Sequence, residues 1–387
     1  MIQFDSKSYR ITHPGSFANI SLGIGVIFLI LSAVGSSIDA KQFYHSYLVS
    51  FAFWTTLGLG GLFFVMLHYL TGAVWSTVFR RVGETVMKVL PWLFVFFIPI
   101  MLGGIHNIYH WSHTEMVAND PILQTKSGYL NEVAFIVRTF IYFLIWFFLA
   151  YKLYQLSVTQ DVSDSEQIRT KALRTSAIGM ILFALTISFA SFDWLMSTDP
   201  HWYSTIFGVY VFTGSYLAII TFLILSSHFL QKKDILTNTI TKEHYHDLAK
   251  LLFTFVVFWA YIAGSQYFFI WYANIPEETI WYLHRWTGSW KEMSLILIFG
   301  HFVIPFLILI FRATKRNLIV LKIMAVWVLF MHYIDIYWII MPTYHHHGVH
   351  FSWMDAVTFV GIGGIFLSLF WRQLSTKPIV PVNDVTL

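Results

Sequence analysis

The sequence contains no cysteine among its 387 residues. The absence of cysteine excludes disulfide bonds, cysteine-ligated iron–sulfur clusters and covalently attached c-type haem from this chain. Any such redox centre that works together with this protein must therefore belong to another subunit.

Charged residues are also scarce. They make up 11% of the chain, whereas hydrophobic residues make up 57%; soluble domains carry about 25% charged residues. This composition excludes an ordinary soluble domain and indicates a polytopic membrane protein. The net charge of +4 is modest, and it gives no indication of a nucleic-acid partner.

Apolar segments of spanning length recur along the whole chain. A membrane-spanning helix needs about 20 predominantly apolar residues, and these runs are too long and continuous for the alternating strands of an outer-membrane barrel. We therefore predict an all-α fold, with the chain 1–387 forming one integral membrane domain. The ten predicted spans are Phe17–Ser36, His45–Thr77, Val86–Trp111, Asn131–Leu156, Thr170–Ser197, Trp202–Leu230, Leu248–Asn274, Trp290–Phe311, Leu318–Met341 and Ser352–Trp371.

Basic residues are distributed unequally between the two sides of these spans. Of the 24 Lys and Arg residues, 19 lie on the N-terminus and on every second loop after it. The other side carries only Lys41, Lys126, Arg285 and Lys291, and Arg138 lies within a span. Positively charged loops face the cytoplasm. This bias predicts a multi-pass membrane protein with both termini in the cytoplasm and the other loops on the outer, periplasmic side.

Marked residues recur at a constant spacing, which suggests an internal repeat of residues 45–200 and 202–342. The offset between the halves decreases once, after the polar loop 161–167. We expect two four-helix bundles, formed by spans 2–5 and 6–9, with spans 1 and 10 peripheral. The matched positions are His68 with His228, Glu132 with Glu292, and Asp193 with Asp335.

Ionisable residues lie within the spans or close to their ends, and most of them belong to the predicted outer half. A charge inside an apolar span is costly and is a functional candidate by default. His332 and Asp335 are three residues apart and share a helix face, where a carboxylate beside an imidazole can pass a proton. A structural role in bonding a neighbouring helix remains the alternative for each Asp. The candidates for a proton path or a quinone site are Asp193, Asp335, His332, His106, His301, Arg138, Glu132, Glu292 and His68.

The histidines give no indication of a metal or haem site. In the sequence His345-His346-His347, with His350 nearby, consecutive side chains point in different directions, and no metalloenzyme spacing precedes them. We expect these residues to be exposed to solvent or to contact a partner. The pattern typical of b-type haem, with two spaced histidines on each of two helices, is absent. We predict no catalytic residue and no metal on this chain.

Two long segments carry a family resemblance. The residues 190–210, ASFDWLMSTDPHWYSTIFGVY, and 266–290, QYFFIWYANIPEETIWYLHRWTGSW, resemble the ActF subunits of bacterial alternative complex III. That complex is a quinol:cytochrome c oxidoreductase of the respiratory chain. The resemblance implies ten spans in two four-helix bundles, related to the NrfD and polysulfide-reductase membrane subunits.

The resemblance also implies partners and cofactors. The partners would be a second NrfD-like subunit, an iron–sulfur subunit, periplasmic haem c subunits and a terminal oxidase. Haem c and iron–sulfur clusters would belong to those partners, and menaquinone, another quinone or a lipid would be the ligand of this chain. Our leading hypothesis is a non-catalytic subunit that supports assembly and carries protons or binds quinone. The alternatives are a secondary transporter and a purely structural scaffold.

Overall fold

A computed structural model describes residues 3–5, 9–162 and 166–382, and this part of the chain is built almost entirely from helices. Ten of its helices are long and apolar enough to cross a membrane. The predicted all-α polytopic membrane fold is therefore confirmed. The spans, numbered 1 to 10, are Phe17–Ile38, Ala40–Thr71, Thr77–Ile108, Glu132–Gln160, Glu166–Thr198, Phe207–Gln231, Lys242–Ala273, Trp290–Leu309, Leu318–Thr343 and Trp353–Leu374.

The spans form two rings of four. Span 2 packs on spans 3 and 5, and span 4 closes the first ring; span 6 packs on spans 7 and 9, and span 8 closes the second. We call these rings bundle 1 and bundle 2. They meet where span 2 contacts spans 6 and 9 and where span 5 contacts span 6. Spans 1 and 10 pack on each other, and span 10 also covers span 2. The two predicted bundles with two peripheral helices are confirmed, whereas the sequence repeat stays a prediction.

A glycine allows the close approach between the bundles. A Cβ atom at Gly60 of span 2 would lie 2.2 Å from the backbone oxygen of Ser215 in span 6. No side chain fits at that distance, so glycine lets the two backbones touch.

Two spans are interrupted by π-helical turns. The turn in span 3 is Ile100–Gly104, directly after Pro99, and the turn in span 8 is Leu297–Val303, just before Pro305. Proline lacks a backbone N–H and disturbs the regular helical hydrogen bonds. π-helical turns are frequent at functional sites. The α-helical parts are Thr77–Met87, Leu90–Pro99 and Ile105–Ile108 in span 3, and Trp290–Ile296 and Ile304–Leu309 in span 8.

Span 3 begins earlier than we predicted from its apolar run. Its first helix starts at Thr77, before Arg80, Arg81 and Glu84, although the predicted start was Val86. Both arginines form ion pairs with Glu84, at 3.2 and 3.4 Å. Because these charges compensate one another, the helix continues through residues that appeared to be a polar loop.

Short elements lie at both ends of the bundles. We call the end that carries the turn 199–206 the outer end, and the opposite one the inner end. The outer end has a 3-10 turn His110–Ser112 and helices Thr114–Asn119, Pro121–Lys126 and Pro276–His284, and the inner end has helix Arg312–Arg316. Short 3-10 turns, Met196–Thr198 and Met341–Thr343, end spans 5 and 9. The antiparallel strands β1 (Gln3–Asp5) and β2 (Arg10–His13) form a hairpin.

The tail after span 10 is folded against the chain itself. From sequence, we expect a tail that is mobile or bound to a partner. In the described part, Ile379 and Val380 are instead fully buried, and the Ile379 N–H donates to the Tyr9 carbonyl at 2.9 Å. Lys7, which contributed to the charge bias, and part of the loop 161–167 lie outside the described residues.

Candidate functional site

Asp193 is the centre of a buried ion pair in bundle 1. Its side chain is 0% exposed. Arg138 of span 4 donates from Nε and Nη2 to its two carboxylate oxygens, each at 2.9 Å, and Tyr142 donates its hydroxyl at 2.7 Å. Arg138 also stacks on the ring of Tyr129, at 3.8 Å, and donates to its backbone oxygen. The two charge-assisted hydrogen bonds between Asp193 and Arg138 therefore link span 5 to span 4.

Asp335 occupies a different environment in bundle 2. It is 2% exposed. The hydroxyl of Tyr210 donates to one carboxylate oxygen, and the indole nitrogen of Trp259 donates to the other at 3.1 Å. Both donors are neutral, and no Lys, Arg or His in the described ranges forms an ion pair with it. Asp335 is therefore a buried carboxylate that is hydrogen-bonded but not charge-compensated.

Two buried histidines lie near Asp335 in the bundle. His332 is one turn earlier on the same helix, and its Nε2 lies 2.9 Å from the Thr56 hydroxyl of span 2. His301 lies in the π-helical turn of span 8, with its ring centre 4.1 Å from that of Trp259. Neither ring nitrogen of His301 has a hydrogen-bond partner among the described residues. The structure places His332 on Thr56, with no hydrogen bond to Asp335, so the adjacent imidazole–carboxylate pair that we expected from their spacing is not formed.

An apolar cavity of about 600 Å³ lies beside Asp335. It is bounded by spans 7 and 8 and the outer helix Pro276–His284, and reaches the bundle surface where Trp271 and Trp286 are exposed. Tyr210 and Trp259, the two donors to Asp335, form part of its wall. The other polar groups of the wall include Gln266, Tyr282, Arg285 and Ser294. The cavity therefore joins the apolar surface of the bundle to a buried carboxylate through two side chains.

Gln266 orders the outer part of this wall. Its amide oxygen accepts from the Ser204 hydroxyl and its amide nitrogen donates to the Tyr282 hydroxyl, both at 3.0 Å. The amide therefore links the turn after span 5 to the outer helix. This hydrogen-bonded frame holds the polar end of the cavity in place.

Arg285 closes the cavity at the outer end. It donates to the backbone oxygens of Trp281, Trp338 and Ile339, at 2.9, 3.1 and 2.6 Å, and its guanidinium lies 3.5 Å from the centre of the Trp281 ring. The carbonyls of residues 338 and 339 belong to the C-terminal end of a helix, where a cation is favourable. Burial lowers the pKa of Arg285 to about 9, so the guanidinium is still charged at neutral pH.

Asp199 lies in the turn between the two bundles. Burial alone would raise its pKa, but the nearby imidazole of His284 and the charge of Arg285 hold the pKa below its usual value of 3.8. The nearest atoms of Asp199 and His284 are 3.6 Å apart. This turn therefore presents an ionised carboxylate among histidines at the outer end.

Three further predicted residues lie away from these buried centres. His106 and Glu132 are 3.3 Å apart, but their side chains are 59% and 42% exposed. Glu292 is exposed in the first turn of span 8. An ion pair at this exposure contributes little, and the structure brings none of the three into contact with Asp193 or Asp335.

His68 belongs to a separate polar cluster at the inner end of bundle 1. Its Nε2 lies 3.0 Å from Arg80 and its Nδ1 lies 2.7 Å from the Ser76 hydroxyl. Arg81 forms a further ion pair with Asp161, at 2.7 Å. His68 therefore belongs to a hydrogen-bonded cluster around a buried arginine.

The histidine cluster after span 9 is only partly exposed. His346 and His347 are exposed, whereas His345 is half-buried and its Nε2 lies 2.6 Å from the side-chain oxygen of Gln42. The expectation of solvent exposure was thus wrong for His345, because span 2 covers it. Within the ranges that the structure describes, no group of three or more His, Asp or Glu side chains is arranged to hold a metal ion.

Sequence reasoning missed the neutral partners of the two aspartates and of His332. The aspartate partners Tyr142, Tyr210 and Trp259 and the His332 partner Thr56 carry no charge, and a search for ionisable groups in spans does not select them. Tyr210 ended one of the two segments that carry the family resemblance, which was the available signal.

Comparison with known proteins does not assign this chain to a family. A scan against protein-family models finds no match to this chain, and a search of curated proteins finds no similar sequence. The resemblance of residues 190–210 and 266–290 to the ActF subunits therefore remains a prediction from those segments.

Proposed function

We propose that this integral membrane protein is a subunit of a respiratory quinol-oxidising complex and that its second bundle carries protons linked to quinol turnover. The electron carriers, haem c and iron–sulfur clusters, belong to partner subunits in this proposal, since the chain has no cysteine. The partners are a second NrfD-like subunit, an iron–sulfur subunit, haem c subunits and a terminal oxidase. The two segments that resemble ActF support this assignment.

One observation carries the proton-carrying role. Among the described residues, Asp335 accepts side-chain hydrogen bonds from Tyr210 and Trp259, which are both neutral, and both of these side chains line the cavity. A carboxylate held by a cation, such as Asp193, cannot take up a proton without leaving that cation unpaired in a partly buried position. A carboxylate held only by neutral donors can exchange a proton without that penalty. Asp335 is therefore the group in the described spans best placed to pass protons.

The cavity supports a quinone-type ligand next to this carboxylate. It is mostly apolar, it lies among the membrane spans, and its walls are rich in aromatic rings that can stack on a planar ring. Quinol oxidation releases two protons and two electrons. A quinol hydroxyl at the Tyr210 end would have a chain of two hydrogen-bonded groups, Tyr210 and then Asp335, through which a proton can leave.

The test is Asp335→Asn in the assembled complex. This change keeps the size of the side chain and removes its ability to carry a proton. We expect the complex to assemble with quinol oxidation or proton release reduced roughly a hundredfold or more, the usual scale for losing a proton-transfer group. Both rates would be measured after reconstitution in liposomes.

The matched control is Glu292→Gln, which removes an exposed carboxylate from the same bundle. We expect this variant to behave as the unmodified protein. Assembled Asp335→Asn complexes with normal turnover and normal proton release would contradict the proposal. A loss of Asp335→Asn activity that follows only from failed assembly would favour the structural scaffold instead.

A further inference from the structure

A second pocket, of about 450 Å³, lies at the inner end of bundle 2. It is bounded by the end of span 6, the starts of spans 7 and 9, and the short helix Arg312–Arg316. Its wall contains both basic and apolar side chains. The basic members are Lys242, Lys315 and Arg316, and the apolar members are Ile240, Ala313, Leu318 and Leu321.

The positive charge of this pocket is only partly compensated. Arg316 is paired with the carboxylate of Glu243, at 2.5 Å. Lys315 donates to the backbone oxygen of Ile310, at 3.4 Å, and lies over the ring of Phe253. Neither Lys315 nor Lys242 forms an ion pair within the described residues, and none of the described residues that line the pocket is a carboxylate. Two ammonium groups therefore remain available to an anion.

The neutral polar groups Tyr245 and Gln231 of the wall already form hydrogen bonds within the protein. The Tyr245 hydroxyl donates to the side-chain oxygen of Gln231, and the Gln231 amide nitrogen donates to the Ile240 backbone oxygen, both at 2.8 Å. These bonds shape the pocket but offer little to a neutral polar ligand. The pocket therefore favours a ligand that carries a negative charge, which the two lysines can bind.

The pocket also opens beside an apolar surface. Phe311, Ile319 and Ile323 are 62–64% exposed. Phe311 lies just after span 8, and Ile319 and Ile323 lie at the start of span 9, next to the pocket. In a membrane this surface faces lipid. A ligand that binds here would meet positive charge at one end and a hydrocarbon-facing surface at the other, which is the arrangement of a phospholipid at the boundary of the bilayer.

We propose that this pocket binds the phosphate headgroup of an anionic phospholipid, with the acyl chains lying along Phe311, Ile319 and Ile323. The two unpaired lysines favour an anionic lipid over a zwitterionic one, whose own cation would be repelled. Basic pockets between membrane helices bind anionic headgroups in this way. The inference does not depend on the respiratory role, because it rests on the inner end of bundle 2, away from Asp335 and its cavity.

The experiment compares lipid binding by the purified full chain and its variants. Native mass spectrometry would count the lipids retained during titration with phosphatidylglycerol and, separately, with phosphatidylcholine. The test variant is Lys242→Gln/Lys315→Gln, and Lys242→Arg/Lys315→Arg keeps the charge. The matched control is Lys152→Gln/Lys171→Gln, which removes two exposed lysines from the inner end of bundle 1.

We expect the unmodified chain to retain phosphatidylglycerol in preference to phosphatidylcholine. The glutamine pair in the pocket should weaken phosphatidylglycerol binding by roughly tenfold to thirtyfold, the scale expected for two basic residues at a charged membrane surface. The arginine pair and the bundle 1 control should retain it. Equal loss in the pocket variant and in the bundle 1 control would overturn the proposal, since general surface charge would then explain the binding.

A final competition experiment distinguishes binding of a lipid from binding of a free anion. Excess inorganic phosphate should leave the bound phosphatidylglycerol in place, because the acyl chains contribute to binding. Displacement of the lipid by phosphate, together with phosphate binding that the glutamine pair abolishes, would identify a site for a free anion and refute the lipid assignment.

Discussion

At the scale of the residue, the two buried aspartates differ in what surrounds them. Asp193 is held by the guanidinium of Arg138 and by Tyr142. Asp335 is held by Tyr210 and Trp259, and no cation in the part of the chain that the structure describes pairs with it. A buried carboxylate is costly unless it is paired or fully hydrogen-bonded. Asp193 therefore forms a structural ion pair that links two helices, whereas Asp335 is the carboxylate that we propose exchanges a proton.

The ion pair between Asp193 and Arg138 predicts that replacing one member destabilises the protein more than replacing the other. Arg138→Gln leaves Asp193 fully buried without a cation and should lower the free energy of unfolding by roughly 3–5 kcal/mol. Asp193→Asn leaves behind an arginine whose side chain is 19% exposed and should cost less, roughly 1–3 kcal/mol. The measurement is unfolding of the purified protein in mixed detergent micelles. The double variant should be more stable than Arg138→Gln alone, and simple addition of the two single costs would contradict the pairing.

The sequence identified both aspartates but not their roles. An acidic residue within an apolar run is visible in the sequence, and the free-energy cost of burying its charge makes it a functional candidate. Whether it meets Arg138 or Trp259 depends on how the spans are rotated, and hydrophobic runs without a polar face do not encode that rotation. For the same reason His332 was expected beside Asp335 but is turned toward Thr56.

At the scale of the element, the helices are shaped by where glycine, proline and compensating charges occur. Gly60 permits the contact between spans 2 and 6, and the prolines at 99 and 305 adjoin the π-helical turns. The number of spans was predictable because each one is a long apolar run. The start of span 3 was not, because the ion pairs of Glu84 with Arg80 and Arg81 form only in the packed bundle.

The contact at Gly60 gives a sharp packing test. Gly60→Ala places a methyl group 2.2 Å from the Ser215 oxygen, so the two helices must separate. We expect a loss of roughly 1–3 kcal/mol in the free energy of unfolding, as for other overpacked sites. The control is Gly23→Ala, where a Cβ meets nothing within 4 Å and alanine favours the helix. Equal stability of the two variants would show that the bundles do not approach this closely.

The outer helices give a test of pH dependence. The hydrogen bond with His201, at 2.5 Å, holds the pKa of Asp120 below its usual value of 3.8. Because the folded-state pKa is the lower one, the stabilisation is complete above about pH 3.8 and is lost as the pH falls through the folded-state value. Hydrogen-exchange protection of residues 114–126, corrected for the intrinsic exchange rate, should decrease over that acidic range.

The variant Asp120→Asn provides the control for this effect. It should show reduced protection of the same helices at neutral pH and a weaker further change on acidification. Protection of residues 114–126 that is the same in both proteins at every pH would show that the Asp120–His201 contact does not hold these helices.

At the scale of the whole molecule, the two ends of the bundles differ in chemistry. Most of the described lysines and arginines lie at the inner end, whereas the pairs His284–Asp199 and His201–Asp120 lie around the turn at Asp199. This difference underlies the predicted orientation, with the inner end in the cytoplasm.

The absence of cysteine makes this orientation directly measurable. Ser127 lies on the loop before span 4, and Thr237 lies on the loop after span 6; both are exposed. Ser127→Cys should react with a membrane-impermeant maleimide in spheroplasts, and Thr237→Cys only after the membrane is opened. The reverse pattern of labelling would contradict the predicted topology.

The central claim is that this chain works as a membrane subunit of a quinol-oxidising respiratory complex. The most direct measurement is purification in mild detergent through a tag on this chain, followed by mass spectrometry and a reduced-minus-oxidised spectrum of the same sample. We predict co-purification of c-type haem, an iron–sulfur subunit and a second ten-span protein, with quinol-oxidising activity. A lone, colourless protein without that activity would contradict the claim.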